Sequence, residues 1–108
     1  MASSNETAPE WLYGLVTGTD NSTTVYPGPC LVRGILVRAG MSAHTAVIKD
    51  GTTEVAVMPA SLGGGSWMEM GDVRFDTSLV FDPDDSMSTG TFTVIYKPNH
   101  EGLVGSGA

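Results

Sequence analysis

The apolar pattern is strongest from Cys30 to Ala39, where apolar residues occupy both sides of an extended chain. A Pro-Gly-Pro turn precedes this segment and Gly40 follows it, and the prolines exclude a helix that begins before them. The segment therefore predicts a strand in the middle of a sheet. Strict alternation predicts that the strand presents Leu31, Arg33, Ile35, Val37 and Ala39 on one side, and Cys30, Val32, Gly34, Leu36 and Arg38 on the other.

A hairpin is predicted around Asp50-Gly51, a dipeptide that favours tight turns between antiparallel strands. Alternating segments flank it at 44–49 and 53–58, and Pro59 ends the second of them. Further strand-like segments lie at 10–17, 67–70, 73–75, 78–81 and 91–97. Polar or glycine-rich stretches at 19–24, 61–66 and 82–85 are predicted as loops.

Short strands with a turn signal roughly every eight to twelve residues predict an all-β fold, either an antiparallel β-sandwich or a jelly roll of seven to eight short strands. A chain of 108 residues is the size of one domain. We expect a polar N-terminal arm at 1–9, a sandwich body at 10–97 and a glycine-rich tail at 98–108.

The charge balance narrows the class of partner. Twelve acidic residues against five basic ones give a net charge of −7, which disfavours nucleic acid and anionic membranes. No apolar run is long enough for a membrane span, and no secretory leader is recognisable at the start, so synthesis in the cytoplasm is expected. Cys30 is the single cysteine and is predicted to be a core residue.

No pattern of catalytic or metal-binding residues is recognisable. His44 and His100 stand alone, and the glycines at 63–65 lack the lysine of a phosphate-binding loop. The aspartates at 82, 84 and 85 do not have the spacing of a calcium-binding loop, so a solvated turn is the favoured interpretation. We expect a protein without enzymatic activity, without a cofactor and without a metal site.

Large apolar residues near the chain start and beside the glycine loop are candidates for an interface, because aromatic residues and methionine are enriched at interface cores. For each of them, burial within the monomer is the alternative. The candidate interface residues are Trp11, Tyr13, Trp67, Met68 and Met70.

Several of these segments resemble small virion proteins of tailed bacteriophages. The resemblance lies in the strand from Gly28 to Val37, the hairpin segment from Thr45 to Thr52, the segment from Val73 to Val80 and the closing strand from Thr91 to Tyr96. It covers roughly residues 27 to 97. One departure is Ser78, where the pattern usually has glycine.

The resemblance implies a β-sandwich that decorates or cements a phage capsid. Such a protein binds the major capsid protein on the outer surface of the head, commonly as a homotrimer, and bridges its subunits. The resemblance supplies no catalytic residues, so it transfers no site to this chain.

Three other functions remain open. The protein could be a tail or fibre component that contacts the host surface or a glycan. A carbohydrate-binding module on the same sandwich would require an exposed aromatic platform, and an enzyme would require a cleft with converging polar groups.

Overall fold

A computed structural model describes residues 10–98 and confirms the all-β prediction. Within these residues the chain forms eight strands in two antiparallel four-stranded sheets that pack face to face. The strands are β1 (Leu12–Thr17), β2 (Thr23–Tyr26), β3 (Cys30–Ala39), β4 (Ala46–Asp50), β5 (Thr53–Met58), β6 (Trp67–Phe75), β7 (Leu79–Pro83) and β8 (Thr91–Pro98).

The strand order is that of a jelly roll. The front sheet has the order β1-β8-β3-β6 and the back sheet β2-β7-β4-β5. The β4–β5 hairpin is therefore enclosed in turn by the pairs β3–β6, β2–β7 and β1–β8. This nesting places the first described strand, β1, beside the last, β8, in the front sheet.

The core lies between the two sheets and is held by aromatic contacts across the gap. Phe81 of the back sheet and Phe92 of the front sheet have ring centroids 4.8 Å apart at a tilt of 41°. Tyr26 and Tyr96 make a second such contact at 5.4 Å. Tilted pairs at these distances are a favoured aromatic geometry. Burial alternates strictly along β8, where Phe92, Val94 and Tyr96 are buried and their neighbours are only half-buried.

β3 has the predicted bounds, but the predicted alternation of its side chains is wrong beyond Val32. The register with both neighbouring strands shifts between Val32 and Gly34, so Arg33 occupies a bulge. The bulge reverses the alternation of inward-facing and outward-facing side chains along β3. Ile35 and Val37 consequently face the core together with Cys30 and Val32.

The hairpin prediction is confirmed, with Gly51 at φ +64° in the turn between β4 and β5. Asp50 also reaches beyond the hairpin. Its carboxylate accepts backbone N–H bonds from Asp76, Thr77 and Ser78 at 2.9, 2.8 and 3.3 Å. These three residues connect β6 of the front sheet to β7 of the back sheet, so Asp50 fixes the crossover between the sheets.

Three local predictions were wrong. The predicted loop at 19–24 contains the start of β2, and β7 continues into the predicted turn as far as Pro83. The segments predicted separately at 67–70 and 73–75 form the single strand β6, which passes through Gly71 and Asp72 at φ +71° and +56°. The predicted arms at 1–9 and 98–108 lie outside the described residues, except for Pro98 at the end of β8.

Candidate functional site: the outer face of the front sheet

The front sheet presents an apolar and aromatic surface on the side away from the core. Cross-strand pairing places Tyr13 beside Ile95 and Ile95 beside Gly34, while the adjacent row runs from Leu15 through Thr93 and Leu36 to Trp67. We call this surface the aromatic face; it consists of Trp11, Tyr13, Leu15, Leu31, Leu36, Trp67 and Ile95. Tyr13, Leu15 and Trp67 expose 67%, 61% and 44% of their surface, and the other four are half-buried.

Trp67 is fixed on this face from below and from the side. Its ring lies over Gly34, where an added Cβ would overlap the indole and come within 2.6 Å of the Met68 carbonyl oxygen. The indole Nε1 donates to Glu69 Oε1 at 2.9 Å. Glu69 Oε2 in turn accepts the Gly71 N–H at 3.0 Å, which ties the ring to the irregular part of β6. The orientation of the indole is therefore set before any partner arrives.

Trp11 is held at the other end of the face by Arg33. The guanidinium carbon lies 3.7 Å from the centroid of the Trp11 ring, within the range of a cation–π contact. Arg33 also donates to both carboxylate oxygens of Asp72, at 3.0 and 3.2 Å. These bonds hold the pKa of the Asp72 carboxyl below its usual value. The β3 bulge and the left-handed Asp72 of β6 thus combine to position one tryptophan.

The five predicted interface residues divide between two sides of the front sheet. Trp11, Tyr13 and Trp67 lie on the aromatic face. Met68 and Met70 are half-buried and pack against the core on the opposite side of β6. Their role in an interface stays a prediction, but they do not belong to the aromatic face.

The sequence interpretation missed Leu15, Ile95 and Arg33. Leu15 could have been found, because it alternates with Tyr13 on a strand whose neighbours Gly14 and Val16 face inward. The positions of Ile95 and Arg33 depend on the pairing of β8 with β1 and on the β3 bulge. The hydrophobic pattern of a single strand does not contain that information.

No protein-family model, curated protein or solved structure matches this chain.

The other sequence candidates have structural roles within the described residues. Cys30 is fully buried, as predicted, and burial, assisted by the charge of Asp50, raises the pKa of its thiol to about 11. Asp82 is paired with Lys49 at 2.7 Å, and Asp84 accepts the Ser86 N–H at 2.8 Å.

His44 Nδ1 lies 3.9 Å from Asp84 Oδ1, whereas His100 is outside the described residues. Between residues 10 and 98, no group of three or more histidine, cysteine, aspartate or glutamate side chains is arranged to hold a metal ion. The same part of the chain contains no helix long and apolar enough to cross a membrane.

Proposed function

We propose that this protein is a structural virion protein that binds the outer surface of a phage head and stabilises the shell by bridging its subunits. The observation that carries the proposal is the aromatic face, a preformed apolar surface on a rigid sheet. Tyr13 and Trp67 supply the exposed aromatic rings that dominate binding energy at protein interfaces. The resemblance of residues 27–97 to phage decoration proteins supplies the expected partner, the major capsid protein.

The jelly-roll fold is compatible with this role, although the fold alone does not imply it. A net charge of −7 suits a protein on the outside of the shell, on the side away from the nucleic acid. Many copies that each bury a modest area would reinforce the shell through multivalent attachment. The proposal assigns the protein no chemical reaction.

The test compares one substitution on each outer surface of the sandwich, using phage heads that lack this protein. Trp67→Ala removes an indole that is 44% exposed on the aromatic face, whereas Val57→Ala alters a side chain that is 50% exposed on the back sheet. We expect Trp67→Ala to weaken co-sedimentation with the heads by about tenfold or more, as for an interface hot spot, and Val57→Ala to leave it unchanged. Equal binding of both variants and the wild type would exclude the aromatic face as the attachment surface.

The copy number in purified virions tests the location independently. Hundreds of copies per particle support attachment to the head, whereas a few to tens would indicate the tail or a fibre. Deletion of residues 1–9, the predicted N-terminal arm, should also reduce the number of copies on the head while the isolated protein stays folded.

One observation favours a second candidate, a tail or fibre component that binds host glycan. Tyr13 and the ring of Trp67, which lies over Gly34, belong to one cross-strand row with Ile95 between them. Two strand spacings separate the rings by roughly 10 Å, which makes the row a candidate platform for stacking sugar rings. Titration with host surface polysaccharide should then change tryptophan fluorescence in the wild type and fail to do so in Tyr13→Ala. No response in the wild type would remove this candidate.

A further inference from the structure

The free edge of β1 differs from the other three sheet edges among residues 10–98. β2 has only four residues and an irregular register, and β5 carries Glu54. β6 carries Glu69, and its bulge contains Asp72. Short length, charge and irregularity are the features by which proteins prevent unwanted pairing of edge strands. Each of these three edges therefore has at least one such protection.

β1 has none of these protections. It comprises six uncharged residues from Leu12 to Thr17 and pairs with β8 in an unbroken register. The described residues give it no partner strand on its other side. Leu12, Tyr13 and Leu15 along this edge expose 42%, 67% and 61% of their surface. A regular, apolar strand with unpaired main-chain groups is a template for strand addition.

We propose that β1 pairs antiparallel with β1 of a second copy of this protein and so joins two front sheets into one eight-stranded sheet. The strand is self-complementary about Gly14. A two-fold axis through this residue places Tyr13 opposite Leu15 of the other copy and Leu12 opposite Val16, so that outer side chains meet outer ones.

The pairing brings no like charges together, although the chain as a whole carries −7. A second copy is a suitable partner for the β1 edge, because it presents the same uncharged strand in the same register. In this arrangement each Tyr13–Leu15 contact is an aromatic–aliphatic cross-strand pair, and symmetry provides two of them.

The two aromatic faces would then lie side by side on one continuous sheet. Strand pairing uses the main chain, so the outward tips of the side chains remain available to another partner. A dimer could therefore attach to a repetitive surface through two faces at once. The pairing itself does not depend on what that surface is.

The experiment measures the mass of the purified full-length protein by analytical ultracentrifugation from about 1 to about 300 µM. We expect a concentration-dependent species of twice the 11.3 kDa chain mass. Leu15→Lys should weaken dimerisation by about tenfold or more, because two cross-strand contacts are lost in each dimer. Val57→Lys, an exposed position on the β5 edge, is the matched control and should leave the dimer intact.

A paired charge design tests the register. Tyr13→Lys and Leu15→Glu should each weaken the dimer, whereas the double variant should restore it, because each introduced lysine then faces an introduced glutamate across the axis. Thermal unfolding of every variant serves as the check that the fold is retained. A monomer throughout the concentration range would overturn the proposal, as would a trimer, a Leu15→Lys dimer as stable as the wild type, or a double variant as weak as the single ones.

Discussion

The two sheets of the sandwich contain four strands each, yet their outer faces are built from different side chains. On the front sheet, Tyr13, Leu15 and Trp67 form an exposed surface with aromatic rings at both ends. On the back sheet, the exposed apolar residues are Val55 and Val57 on the edge strand β5.

Beside these valines, Lys49 and Asp82 form an ion pair at 2.7 Å across the middle of the back sheet. A polar pair at the centre interrupts the apolar surface and favours contact with water, whereas the aromatic face has half-buried Leu36 and Ile95 at its centre. Exposure of apolar residues alone therefore does not define a candidate interface. The front sheet differs from the back sheet because its aromatic rings are held in place by neighbouring residues and its apolar surface is continuous.

The largest expected effect comes from filling the space under Trp67. Gly34→Ala places a methyl group against both the indole and the Met68 carbonyl oxygen, so strand β6 must shift. We expect the free energy of unfolding, measured by urea denaturation, to fall by about 1–3 kcal/mol. Displacement of the Trp67 ring should also weaken binding through the aromatic face.

The matched control is Gly63→Ala, because an added Cβ at Gly63 has no atom within 4 Å. This variant should be as stable as the wild type. Similar stabilities of the two alanine variants would mean that the ring does not depend on close approach to Gly34.

The next effect concerns the crossover that separates the two sheets. Partial burial opposes the charged form of Asp50, but three backbone N–H donors outweigh it and lower the pKa of this carboxyl. The resulting stabilisation is present above the ordinary carboxyl pKa and is lost as pH falls through the lower, folded-state value.

Asp50→Asn should therefore reduce the free energy of unfolding at pH 7 by about 1–2 kcal/mol, because the charge-assisted hydrogen bonds are weakened. The difference from the wild type should shrink below about pH 4. Asp85→Asn, at an exposed aspartate of the β7–β8 loop, is the control and should be as stable as the wild type at pH 7. A difference for Asp50→Asn that stays constant down to about pH 2 would contradict the role assigned to its charge.

The smallest effect on stability is expected at Arg33, because its ion pair with Asp72 is about half-exposed. In a Trp67→Phe background, Trp11 is the only tryptophan and therefore the only source of tryptophan emission. Arg33→Gln should then shift the emission, since the guanidinium leaves the ring, while the melting temperature changes little.

Lys97→Gln provides a graded control, because Lys97 Nζ lies 5.6 Å from the Trp11 ring centroid, farther than the Arg33 guanidinium. We expect it to shift the emission less than Arg33→Gln. The opposite order would show that Lys97, rather than Arg33, sets the environment of Trp11.

Much of the fold could be predicted from the sequence where local chemistry fixes the chain. Turn residues on both sides gave β3 its correct bounds, and Asp50-Gly51 identified the β4–β5 hairpin. The sequence did not predict that residues 67–75 form one continuous strand, because Gly71 and Asp72 are typical loop residues that here form a bulge inside β6. Asp72 in this bulge is held by Arg33, which is 39 residues away in the sequence.

The candidate site could be predicted only in part. Residue type was enough to select Trp11, Tyr13 and Trp67, and it also selected Met68 and Met70, which pack against the core. Alternation along β6 already separates Trp67 from Met68, since neighbouring residues of a strand face opposite sides. The contribution of Ile95 depends on the register between β8 and β1, two strands that are far apart in the sequence.

The position of β8 has a consequence for the order in which the protein can fold. Among residues 10–98, β8 is the last strand, yet it lies between β1 and β3 in the interior of the front sheet. Closing such distant segments carries a large entropic cost and slows folding. During synthesis the β4–β5 hairpin can form early, but β1 pairs in the front sheet with β8 alone among the described strands and must wait until β8 has left the ribosome.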